Sequence, residues 1–137
     1  MRRTIIFILI TLFTSNFKAQ KTPIYREANV CGQEGMSDKA YFARGETEYL
    51  KILKDFEKKF KTINNGYSDY YRLYILPGGI NATDLFVSLI PKSIVSEENK
   101  KKKEYRVFGD ERTLRLNFNL KTKKISNIYK GYILPDL

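Results

Sequence analysis

The chain has 137 residues, with 25 lysines and arginines against 15 aspartates and glutamates, a formal net charge of +10, one cysteine and no histidine. A single cysteine excludes an internal disulfide, so stability must come from packing. The lack of histidine removes the side chain best placed to move protons near neutral pH, and with it Ser-His and Cys-His nucleophile pairs and the usual zinc ligand sets.

The N-terminus reads as an export signal in three regions. Arg2 and Arg3 supply the positive end, Ile5 to Phe13 (IIFILITLF) the apolar run, and a polar stretch follows to Lys18-Ala19-Gln20. The apolar run is too short to cross a bilayer, since a spanning helix needs ~20 apolar residues. Residues 1–19 are therefore expected to be a signal peptide, with cleavage after Ala19 favoured although Phe17 is larger than the usual small residue there. This segment resembles bacterial signal peptides, and the resemblance implies an exported protein, periplasmic or secreted. Arg2-Arg3 leads straight into the apolar run, which favours the general secretory route over a twin-arginine one. Cys31 lies too far from the apolar run to be lipidated. The remainder is long enough for one domain with a single core but not for two.

Residues 20–44 carry Pro23, Gly32 and Gly35 and no sustained period, which predicts an irregular N-terminal arm, with Tyr41 to Ala43 open as a short element. Cys31 within it is open as a plain thiol, an intermolecular bridge or a reactive thiol. The folded domain is expected over residues 45–137. Tyr49, Ile52, Leu53, Phe56, Phe60 and Ile63 recur at three- and four-residue steps, which predicts an amphipathic helix. Glu46 and Glu48 near its start and lysines near its end suit the helix dipole. Asn64-Asn65-Gly66 supplies residues that tolerate a left-handed stop.

Strands are expected next. Tyr67 to Leu76 and Thr83 to Ile90 form a predicted hairpin around Pro77-Gly78-Gly79. Ser93 to Lys103 reads as a polar loop, followed by a strand over Glu104 to Phe108. Leu114, Leu116, Phe118 and Leu120 then alternate with Thr113, Arg115, Asn117 and Asn119, one face buried and one wet. A last strand runs from Ile125 to Ile133. The fold class is α+β: one helix packed on a four- to five-stranded antiparallel meander. This element order, from about Glu46 to Ile133, resembles cystatin-like and NTF2-like domains, and the resemblance implies binding of small molecules or proteins. A similarity to the periplasmic domains that end TonB proteins stops after Ile90, because the second helix expected there falls on the Ser93 to Lys103 loop.

No catalytic residues can be named. Asp110-Glu111 and Glu97-Glu98 are sequence neighbours; neighbours on a strand point to opposite faces and neighbours in loops are generally solvated, so neither spacing implies a shared acid/base site. No glycine-rich phosphate loop precedes the helix, and neither a metal nor a cofactor is expected.

Binding leaves a better trace. With Tyr71, Leu73 and Ile75 taken as core, Tyr70, Arg72 and Tyr74 point outward and, with Arg106 and Arg115, make an aromatic and guanidinium surface suited to acidic glycans or a protein partner. Residues 92 to 130 hold twelve basic and five acidic side chains, so the C-terminal half is the cationic one, and Lys100, Lys101, Lys102 and Lys103 form its densest patch. Expected partners are an envelope protein or an anionic glycan or lipid, with nucleic acid a lesser candidate. A small-molecule or histidine-free enzymatic pocket between helix and sheet is the alternative. No membrane span is expected after signal removal.

Overall fold

The computed structural model describes residues 25–38, 45–102 and 111–131. The expected signal peptide, the Tyr41 to Ala43 element and the Glu104 to Phe108 strand lie outside the described residues. The fold is α+β, one main helix packed on a six-stranded mixed sheet. The strands are β1 (Arg26–Glu27), β2 (Gly35–Ser37), β3 (Tyr70–Ile75), β4 (Asp84–Pro91), β5 (Leu114–Asn119) and β6 (Tyr129–Lys130), adjacent in chain order.

The arm is less irregular than its sequence suggests. Val30 and Gln33 close a turn through Cys31 (φ 51°) and Gly32 (φ 79°), both left-handed as a tight hairpin connection requires. That hairpin pairs β1 with β2 and seats β2 parallel to β3, so the sheet is mixed and the antiparallel expectation is corrected at this edge. Parallel neighbours need a crossover, and helix α1 (Glu46–Phe60) supplies it. A side chain at Gly35 has no room, because an added Cβ would stand 2.8 Å from the Arg72 carbonyl oxygen.

Helix α1 buries Tyr49, Ile52, Leu53, Phe56, Glu57 and Phe60 on one stripe. It stops where Asn64, Asn65 and Gly66 take φ values of 43°, 54° and 69°, the left-handed break that the sequence signals. Its apolar stripe meets Tyr74, Leu76, Leu85, Val87, Leu89, Leu116 and Phe118 from the sheet. Phe56 stacks on Phe60 at 5.0 Å and meets Phe118 edge-on at 5.6 Å, and both rings are fully buried. The centre of the helix-sheet layer is therefore filled by side chains. Among the described residues, recesses open at its edges: one of about 170 Å³ beside Arg26, Ser37 and Tyr49, and one of about 240 Å³ beside Gln33, Glu57 and Gly66.

The opposite face of the sheet holds a second apolar cluster: Met36, Tyr71, Leu73, Ile90 and Val95. Segment 92–102 helps cover it, and here the loop expectation is corrected. A short helix, α2 (Glu97–Lys102), forms after Ser96, whose Oγ accepts a hydrogen bond from the Asn99 amide at 3.1 Å. That is an N-cap, followed by two glutamates in the first turn. β4 pairs directly with β5 in register Val87 to Leu116.

Candidate binding surfaces

The predicted aromatic and guanidinium surface is not assembled, because the phase of β3 is opposite to the one expected. Tyr70, Arg72 and Tyr74 do share a face, but that face meets α1. Arg72 and Tyr74 are fully buried, and Tyr70 is half-buried with its ring edge-on to Tyr67 at 5.6 Å. Arg115 lies opposite Ser88 and Tyr129 on the other side of the sheet, half-buried. Arg106 lies outside the described residues. Both faces of β3 are covered, so alternation alone gives no outward side, and placing an arginine inward demands a counter-charge.

Glu57 is that counter-charge. Arg72 Nε donates to Glu57 Oε1 at 3.0 Å, and Nη2 donates to Oε2 at 3.4 Å and to the Gly66 carbonyl. Nη1 donates to the carbonyls of Tyr67 and Tyr70, each at 2.7 Å. Those partners account for all five guanidinium donors. Tyr74 adds its hydroxyl to Glu57 Oε1 at 2.5 Å, and burial, followed by the Glu57 charge, pushes that phenol well above its ordinary pKa. Arg72 therefore clamps the helix stop to the sheet and keeps no donor for a ligand. The sequence carried one cue to this cluster: Glu57 stands on the apolar stripe, one turn from both Leu53 and Phe60.

The face opposite α1 carries a groove of about 460 Å³, lined by Glu27, Glu34, Met36, Tyr71, Glu97 and Lys100 among others. Lys100 Nζ donates to Glu34 Oε2 and to Glu97 Oε1, both at 2.9 Å, and sits 5.8 Å from the centre of the Tyr71 ring. The Lys100 hydrogen bond and charge hold the Glu34 carboxyl below its usual range, and the two carboxylates hold Lys100 above its own. Burial, then the charges of Glu27, Glu34 and Glu97, raises the Tyr71 phenol. Of the lysine run, Lys100 is thus spent on two carboxylates, Lys101 is exposed at the groove, and Lys103 lies outside the described residues.

The free cationic surface lies elsewhere. Lys51, Lys54, Lys58 and Lys61 follow one another at three- and four-residue steps along the exposed side of α1 and its C-cap, and among the described residues none makes an ion pair. Asp55, beside this row, accepts Lys123 Nζ at 3.4 Å, which draws the β5–β6 turn with exposed Lys121 and Lys124 against the helix. A shallow trough of about 380 Å³ runs along the row between Thr47, Leu50, Lys51, Lys54, Asp55 and Lys58. Sequence counting missed this face because it balanced the lysines of α1 against acids that the fold pairs with other basic side chains.

Among the described residues no three acidic or cysteine side chains gather as a metal site, and no helix is long and apolar enough to cross a membrane. No protein family matches the chain, and neither a curated protein nor a solved structure does.

Proposed function

We propose that this chain is an exported, non-catalytic binding domain whose cationic exterior engages an acidic partner of the cell envelope or its surroundings. One observation carries the reading: the lysines of α1 and of the β5–β6 turn meet on one side, while the acids Glu34, Glu46, Asp55 and Glu57 are paired with basic side chains. A surface on which positive charges outnumber their partners attracts polyanions over about one Debye length, ~8 Å at physiological salt. The signal-like N-terminus supports export, and the helix-on-sheet arrangement is compatible with the cystatin-like and NTF2-like layout, many domains of which bind small molecules or proteins. Nucleic acid is the weaker candidate, since Lys100 is not free to contact phosphate.

Two measurements test this. N-terminal sequencing of the protein recovered from the extracytoplasmic fraction is expected to begin near Gln20; protein retained intact in the cytosol would end the export reading. Binding to acidic glycans and acidic proteins is expected to weaken steeply with added salt, and affinity that ignores salt would rule out an electrostatic partner.

A second reading rests on the outer groove. Three carboxylates over a tyrosine ring suit a small cationic ligand competing for the place of Lys100. Shifts of the Tyr71 ring and Lys100 side-chain NMR signals on titration with a small basic ligand would support it, and their absence would end it.

A further inference from the structure

We infer that the α1 face is a subsite for a linear acidic polysaccharide, one that carries a carboxylate on its sugar rings. The inference rests on the anionic-partner reading above and narrows it to one chemistry and one face.

Three features of the face point the same way. The first is geometry: Lys51, Lys54, Lys58 and Lys61 form a straight row, with successive side chains ~5–6 Å apart at the Cβ and a length of ~15 Å at 1.5 Å per residue. A polymer with about one charge per sugar can meet such a row ring by ring. The second is the kind of cation. Every member is a lysine, a rotatable point charge that tolerates varied carboxylate orientations. The third is the trough, which offers more than charge. Leu50, half-buried on its floor, gives an apolar patch for the C–H face of a sugar; the Thr47 hydroxyl and the Asp55 carboxylate offer partners for ring hydroxyls.

Other polyanions use this face poorly. A phosphate polymer has no C–H face to place on Leu50 and no ring hydroxyls for Thr47 and Asp55. A bilayer needs apolar anchors beside the cations, and the apolar stripe of α1 is buried on the sheet. Single-stranded nucleic acid needs aromatic faces for stacking, and Thr47, Leu50, Lys51, Lys54, Asp55 and Lys58 include none.

The test is calorimetric titration of the full chain with oligogalacturonates of increasing length, alongside inorganic polyphosphate, single-stranded DNA and phosphatidylglycerol vesicles at matched ionic strength. Affinity is expected to climb with oligomer length up to about four sugars, the span of the row, and then to level. Lys51→Gln/Lys54→Gln/Lys58→Gln is expected to lose at least tenfold in affinity and to lower the salt slope by about one unit per lysine. The corresponding triple Lys→Arg variant keeps binding, and both keep the wild-type melting temperature within a few degrees. Equal affinity for polyphosphate, DNA or vesicles overturns the sugar assignment. Loss of binding in Lys100→Gln/Lys101→Gln, with none in the α1 triple variant, overturns the face while leaving the anionic partner in place. If no polyanion binds at low salt, the broader reading fails as well.

Discussion

Arg72 and Glu57 decide more of this protein than any exposed residue. A buried guanidinium is tolerable only when its charge and all its donors are met, and here one carboxylate and three main-chain carbonyls meet them. Removing either partner strands the other inside the core. Glu57→Gln or Arg72→Met is therefore expected to cost about 3–5 kcal/mol, read as a lowered urea midpoint. The double variant is expected to lose clearly less than the two single losses added together, since it leaves no lone charge. Additive losses below about 1 kcal/mol would show that the pair is water-exposed. Sequence reasoning put Arg72 outside because, with Tyr71, Leu73 and Ile75 taken as core, alternation along the strand leaves it on the other face. Its partner sits fifteen residues away on another element, and neither strand alternation nor helix period alone can join the two.

At the scale of elements, the amphipathic helix, the β3–β4 hairpin and the apolar face of β5 follow from local patterning, because each needs one period and one buried side. β2 and α2 do not. β2 is three residues long and exists because β3 offers it an edge and Gly35 lets the two backbones approach. α2 is only six residues long, too short to hold by itself, and is fastened by Lys100 to Glu34 across the groove. This fastening has a pH window. Glu34 has a lowered pKa when folded, so its contribution is present above its ordinary value of 4.5 and is lost as pH falls through the depressed one. Lys100 has a raised pKa, so its contribution is present below its ordinary 10.5 and is lost as pH rises through the elevated one. Hydrogen exchange in α2, corrected for the intrinsic pH dependence of exchange, is expected to be slowest between those limits. Lys100→Met is expected to speed it at neutral pH while leaving β3 and β4 unchanged. Unaltered α2 protection in that variant would show that Val95 and the apolar cluster, rather than the ion pairs, hold the helix down.

For the whole molecule, net charge and its placement are separate facts. The count of +10 predicts mutual repulsion, which salt screens. Raising ionic strength from low to physiological is expected to raise the melting temperature by a few degrees, and acidic oligosaccharide at low salt to raise it further through linkage. A melting temperature that falls with salt would mean that the exposed pairs, Arg26 with Glu46 and Lys123 with Asp55, outweigh the repulsion. The C-terminal half holds the excess on paper. In space, Lys123 carries part of that excess to α1, where helix lysines make no ion pair among the described residues, and the two halves share one cationic face.

Residue order alone accounts for the α+β class, the helix and its left-handed stop, the main hairpin and the buried face of β5, because periodicity and turn chemistry act over a few neighbouring residues. It also set the excess of positive charge. Long-range packing is what turns Arg72 inward on β3, completes the sheet with the arm, and sets the unpaired lysines of α1 beside the β5–β6 turn. Each depends on a partner distant in the chain: a carboxylate on another element, a strand edge waiting to be paired, or an aspartate holding a remote turn in place.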